Sequence, residues 1–321
     1  AVVLRRYGPP DGLRLEDRPV PEPAAGQVLV RVHAAAVNDW DWSLVRGRPW
    51  LYRLMYGLTR PRIAVPGIEV AGTVQACGAG AARFAPGDRV YGDLSEAGLG
   101  GFAEFVAVSE QALAPMPQGL GFVQAAALPH AAMLARQGLG DVGRLRPGER
   151  VLINGAGGGV GMLGVQIAKT QGAHVTGVDA GFKLQAMRAQ GFDEVVDYTQ
   201  HDFTRAGAQY DLILDARSTR APWQVLRARR PGGRYVAGGG ESGPRLSTLA
   251  VAPVRRAVTG KALRIVSLKP NRDMAWVNRI VERGALACPV DGPYPLADVA
   301  QALRRFGEAR HVGKVVMTVT D

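Results

Sequence analysis

With 321 residues, 47% hydrophobic and 21% charged, the chain has the length of two domains and the composition of a globular protein. Its two cysteines, Cys77 and Cys288, exclude a disulfide framework or a four-cysteine zinc lobe, and no apolar run approaches the roughly 18 residues of a membrane span. The net charge of +11 comes from arginine spread from Arg5 to Arg310, with short clusters at Arg227–Arg229–Arg230 and Arg255–Arg256. That spread reads as compositional drift, because a nucleic-acid footprint needs its charge on one face.

The opening AVVLRRYGPP has no apolar core after its basic residues, so no signal peptide is read there and a reducing, cytoplasmic setting is expected. QVLVRVHAAAV (27–37) alternates apolar and polar residues as a strand does. VAGTVQACG (70–78) and FAEFVAVS (102–109) read as further strands, and APGDRVYG (85–92) as a turn leading into another. Short strands with regular turn signals predict an all-β lobe. From Gln124 the character changes: QAAALPHAAMLARQGL (124–139) reads as a helix kinked at Pro129. Strands are then predicted at 150–156, 174–179, 194–198, 210–216 and 233–240. Helices are predicted at 162–172, 182–191 and 223–230, with Gly172 and Gly191 as C-caps. This alternation predicts an α/β domain with a parallel, doubly wound sheet. A last helix (297–307) and strand (312–319) are expected to return to the β lobe.

The strongest local signal is INGAGGGVGMLGVQIAK, from Ile153 to Lys169. Ala156, Gly158 and Gly161 fill the three small-residue positions of the dinucleotide fingerprint, with alanine in the first. A tiny residue makes the turn, the second position lets a diphosphate approach the backbone, and the third lets helix and strand pack closely. Free N–H groups at Gly159, Val160 and Gly161 are then expected to bind phosphate at the helix start. Asp179 ends the second strand at the offset of a ribose-binding acid, which favours NADH. Lys183, four residues on, pulls toward the 2′-phosphate of NADPH, so the coenzyme is read only as NAD(P)H.

The chain resembles the zinc-free quinone reductase branch of the medium-chain dehydrogenase/reductase superfamily. The resemblance covers nearly its whole length. It rests on AAAVNDWDW (34–42), VPGIEVAGTV (65–74), FAPGDRVYG (84–92), GGFAEFVAV (100–108), AAALP (125–129), LRPGERVLINGAGGGVG (145–161), LRARRPGGRYVAGGG (226–240) and GKVVMTV (313–319). It implies a GroES-like β domain over 1–123, a Rossmann nucleotide-binding domain over 124–270, and a return of 271–321 to the first. The nicotinamide is then expected in the cleft between them, and a homodimer through LRIVSL (263–268).

In zinc-dependent relatives a Cys, a His–Glu pair and a second Cys hold the metal. Here Asn38 and Ile68–Glu69 stand at the first two places and no Cys lies near His130, so no metal is expected. The resemblance carries over Asn38 as a group near the carbonyl and nicotinamide, and Asp41 as a support for its loop. Tyr198 is carried over as the adenosine-side tyrosine, Asp215, Ala216, Gly238 and Gly239 as strand-end coenzyme contacts, and Lys314 as the Gly-Lys lysine. Asn38 also reads nearly as well as a turn amide bonded to its own backbone. The chain departs from the family at Ser43, where a tyrosine is common, and at Leu134, where a threonine is common. Tyr52 is the phenol nearest in sequence to serve as proton source. The expected function is NAD(P)H-dependent reduction of a quinone, enone or small carbonyl acceptor, without membrane or nucleic-acid partners. The rival readings are a non-catalytic nucleotide-binding protein that binds polyanions, and an NAD(P)-dependent alcohol dehydrogenase.

Overall fold

The computed structural model describes residues 1–205, 207, 209–218, 220–239 and 263–319. The cluster Arg255–Arg256 lies outside the described residues. Two compact units are present, one made of 1–130 with 269–321 and the other of 131–268.

The first unit opens with an antiparallel pair, β1 (Val2–Val3) and β2 (Arg14–Leu15). Its main sheet takes β3 (Gln27–Ala36), β4 (Glu69–Cys77), β5 (Arg89–Asp93), β6 (Phe105–Ser109) and β7 (Ala114–Pro115). Val28, Val30 and Val32 are fully buried along β3, as the alternating pattern requires of one core face. From Ala34 to Ala36 every side chain is buried, because α3 (Phe122–Ala126) packs over β3 and β4. Small alanines allow that close cover. Between β3 and β4 lie α1 (Asp39–Arg46) and α2 (Leu51–Tyr56).

The helix expected over 124–139 is two helices. α3 stops at Ala126, and α4 (Pro129–Arg136) begins on Pro129, whose fixed φ and missing N–H suit a first helical position. The first unit ends at His130, seven residues beyond the expected boundary, since α3 belongs to its core.

The second unit holds β8 (Arg150–Asn154), α5 (Gly159–Lys169), β9 (His174–Asp179), α6 (Leu184–Gln190), β10 (Glu194–Asp197), β11 (Tyr210–Asp215), α7 (Pro222–Val225), β12 (Arg229–Ala237) and β13 (Leu263–Ile265). All six strands are parallel in the order β10-β9-β8-β11-β12-β13. The central strands are buried on both faces, with Val151, Leu152, Ile153, Leu212, Ile213 and Leu214 all at 0% exposure. The order reverses between β8 and β11, and ligands of such sheets bind outside the carboxyl ends at that switch.

α5 and α7 both end earlier than the sequence suggests. α5 stops at Lys169, and Gly172 sits beyond it in a turn at φ +63°. The helix expected over 223–230 is α-helical only to Val225 and continues as a 3-10 turn to Ala228, because Arg229 already pairs with Tyr210 to start β12. Gly191 caps α6 in the left-handed conformation.

The chain returns to the first unit with α8 (Met274–Glu282), β14 (Val290–Pro295), α9 (Val299–Gly307) and β15 (Lys314–Thr318). β15 lies parallel to β14 and antiparallel to β3, with Val316 opposite Ala36. The same register, extended by two residues, sets Lys314 against Asn38, while Glu69 of β4 faces Ala36. Residues far apart in sequence thereby meet at the ends of three adjacent strands. Among the described residues no helix is long and apolar enough to cross a membrane.

Candidate active site

In the second unit the loop between β8 and α5 is fixed from two sides. Gly155, at φ +78°, and Ala156 both donate their N–H groups to Val178 O, at 3.0 and 3.1 Å. Gly161 packs so tightly that a Cβ there would stand 2.3 Å from Ala156 O and 2.4 Å from Ala156 Cα. Backbone cannot yield at that distance, so glycine is required. Gly158 is the extended N-cap of α5, and Gly159, Val160 and Gly161 form its first turn. The first N–H groups of a helix have no intrahelical acceptor and point out of its positive end. Ala156, Gly158, Gly159, Val160 and Gly161 are thus brought together at the switch of the sheet.

Asp179 does not stand open beside this loop. Its Oδ2 accepts the Gly157 N–H at 2.8 Å; its Oδ1 accepts the Ala180 N–H at 2.8 Å and lies 3.2 Å from Lys183 Nζ. Both side chains are buried, at 7% for Asp179 and 2% for Lys183. The two charges that pulled the coenzyme preference in opposite directions neutralise one another. Tyr198 follows β10 with its side chain exposed and its N–H bonded to Asp179 O.

Asp215 departs from its expected coenzyme role. It is fully buried and accepts bonds from Asn154 Nδ2 (2.8 Å), Ser218 N–H (2.6 Å) and Tyr235 O–H (2.7 Å). It braces β8, β11 and β12 at the switch. Burial pushes its carboxyl up, and these three donors offset part of that shift. Ala216 donates to Asn154 O, and Gly238 and Gly239 both donate to Asp215 O. A Cβ at Gly239 would meet Ala216 O at 2.2 Å, whereas one at Gly238 would make ordinary contact with Leu134 at 3.6 Å.

In the first unit Asn38 is the N-cap position of α1 and is only 3% exposed. Its Nδ2 donates to Glu69 Oε2 at 2.9 Å, and its Oδ1 accepts from Lys314 Nζ. Lys314 Nζ also lies 2.7 Å from Glu69 Oε2, and the His130 N–H donates to Glu69 Oε1 at 2.8 Å. Neither the carbonyl-facing role implied for Asn38 nor the coenzyme role implied for Lys314 fits these bonds, which turn both groups inward. Asp41 bridges the Asn38 and Gly67 N–H groups, each at 3.0 Å. The Cys288 thiol is pushed up to about 12 by burial, so it stays protonated and is no nucleophile. Tyr52 lies edge-on to Trp40, with ring centroids 6.3 Å apart, and 6.1 Å from Tyr56.

Residues 24–118 match the alcohol dehydrogenase GroES-like domain family, and residues 190–317 match a family described as zinc-binding dehydrogenase. An NADPH-dependent alkenal/one oxidoreductase of Arabidopsis thaliana is 32% identical over 99% of this chain and 78% of its own length. The chain belongs to the medium-chain dehydrogenase/reductase superfamily, in its quinone oxidoreductase-like branch. The quinone oxidoreductase of Coxiella burnetii superposes with a TM-score of 0.88 at 25% identity, covering 100% of this chain and 99% of that one. PikAII, a pikromycin polyketide synthase component of Streptomyces venezuelae, is 34% identical over 93% of this chain, which spans only 8% of that much longer protein. As a medium-chain oxidoreductase the protein calls for a nicotinamide coenzyme, and the glycine loop fits one. The close contact of Gly161 with Ala156, the outward N–H groups of α5 and the half-buried Gly158 leave backbone, not side chains, to face a diphosphate.

Asp41 carries a testable consequence of burial. Desolvation pushes its carboxyl up to about 7; the two backbone N–H groups and the charges of Lys314 and His130 pull it back only in part. Between pH 4 and 7 the folded chain then holds a proton that the unfolded chain has released. Stability therefore falls as pH rises through that window, by at most about 4 kcal/mol. Denaturation midpoints at pH 5 and pH 8 are expected to drop more for the wild type than for Asp41→Asn. Equal drops contradict the shift.

Sequence reasoning named Asn38, Asp41 and Lys314 but missed the groups that bind them together. In the sequence Glu69 stands out only at a metal-ligand position, and nothing there marks Asp93, whose carboxylate lies 2.7 Å from His130 Nδ1. The available signal was Glu69 itself, an acid within the apolar segment VPGIEVAGTV, which needs a buried partner.

Proposed function

We propose that this chain uses NAD(P)H to reduce a quinone, enone or small carbonyl acceptor without zinc. The observation that carries the reading is the closed packing of Gly161 on Ala156 at the switch of a six-stranded parallel sheet. The bound coenzyme supplies a hydride. Gly159, Val160 and Gly161 hold its diphosphate, and Tyr198 offers an exposed ring on the adenosine side.

The zinc-free part of the reading is supported by what surrounds Glu69. Its carboxylate is already shared by Lys314, Asn38 and the His130 N–H, and Ile68 beside it is fully buried. A dication would have to share that carboxylate with an ammonium already 2.7 Å from Oε2. Among the described residues no three His, Cys, Asp or Glu side chains converge as metal ligands. Without a Lewis acid, reduction of a polarised double bond is favoured over dehydrogenation of an alcohol.

The test is absorbance at 340 nm with NADH or NADPH against quinones, enones and aldehydes, before and after chelator treatment. Coenzyme oxidation that survives chelation is the expected result. Silence across the panel, or activity lost on chelation and restored by zinc, overturns it.

A further inference from the structure

We propose that His130 is the proton donor of the reduction and that Asp93 positions it; the assignment rests on the reductase reading above. His130 is anchored at both ends. Its backbone N–H donates to Glu69 Oε1 at 2.8 Å, and its ring Nδ1 lies 2.7 Å from Asp93 Oδ2. Asp93 is itself fixed. Its Oδ1 accepts the Ser95 N–H at 2.8 Å, and Asn271 clamps its backbone N–H (2.9 Å) and carbonyl (2.7 Å).

Exposure separates His130 from its neighbours. The side chains of Glu69 and Asp93 are at 0% and that of Lys314 is at 6%, whereas the His130 side chain keeps 12% of its surface open. A proton donor must be recharged between turnovers, and of these groups His130 is the most open to solvent. Burial pushes the Asp93 carboxyl up, but the His130 charge and the bonds from His130 and Ser95 outweigh it, so the carboxylate stays ionised. The Asp93 carboxylate at Nδ1 fixes the orientation of the ring and leaves Nε2–H as the bond that breaks. Imidazole also suits proton transfer near neutral pH better than a phenol such as Tyr52 does.

For an enone the balance is complete. The β carbon receives the hydride with its bonding pair, and the C=C pair moves to form the enolate. The Nε2–H bond then breaks and its proton joins the α carbon. The products are the saturated ketone, oxidised coenzyme and neutral imidazole, which takes a proton from water.

The experiment reduces an α-methyl enone with NADPH in D2O and reads deuterium at the α carbon. The wild type is expected to label one face. His130→Gln is expected to lower kcat about 100-fold or more, to label both faces in its residual product, and to bind NADPH as before. Asp93→Asn is expected to lower kcat less while keeping one face. Wild-type labelling of both faces, or a His130→Gln kcat within about twofold of wild type, overturns the assignment. If His130→Gln does not fold, the wild-type labelling and the Asp93→Asn kcat decide. A wild type silent with every acceptor overturns the reductase reading instead.

Discussion

Lys314→Met is expected to destabilise the first unit by about 3–5 kcal/mol, the cost of leaving a buried charge without its partner. Glu69 has no exposure, and Lys314 is the only cation among its described hydrogen-bond and ion-pair partners. Methionine matches the lysine stem in shape, so little packing is lost and the unpaired carboxylate dominates. The double variant Lys314→Met/Glu69→Gln is expected to recover much of that loss. Glutamine keeps an acceptor for the His130 N–H, and its amide can donate to Asn38 Oδ1 once the Asn38 amide, freed of the lysine, turns over. Urea denaturation checks both. A Lys314→Met cost below about 1 kcal/mol, or a double variant weaker than the single, contradicts the inward role of this pair.

Gly161→Val is expected to weaken coenzyme binding about 100-fold or more, because displacing the binding atoms by about an ångström costs that much. The new Cβ would stand 2.3 Å from Ala156 O, and backbone there is tied to Val178 O, so α5 must move off β8. Overpacking itself costs about 1–3 kcal/mol, which the unit can survive. Gly12→Ala is the control, since a Cβ at Gly12 meets nothing within 4 Å. Fluorescence titration with NADPH and a thermal melt distinguish lost binding from lost folding. Undiminished affinity in a folded Gly161→Val protein contradicts the proposed seat of the diphosphate.

The glycine loop reads directly from the sequence because its constraint lies on the backbone. Only a missing Cβ satisfies Gly161, so the requirement is written in residue identity and spacing. The parallel sheet is legible for a related reason: strands buried on both faces, such as VLIN (151–154) and LILD (212–215), must be apolar almost throughout. The polar cluster is not legible in that way. Lys314 and Asn38 are 276 residues apart, and they meet only because β15 takes one register against β3. A strand-end position suggests a ligand contact for Asp215, but its neighbours Asn154, Ser218 and Tyr235 come from three separate segments and claim the carboxylate first. Asp179 and Lys183 show the limit of spacing. Their four-residue separation permits a pair, yet nothing in the sequence says that they bury and neutralise each other.

The seat of the diphosphate is tested most directly by calorimetric titration of the purified chain with NADPH and with NADH. Saturable binding of at least one, at one coenzyme per chain, is the expected result. A folded chain that gives no binding heat with either, even at millimolar coenzyme, contradicts the account.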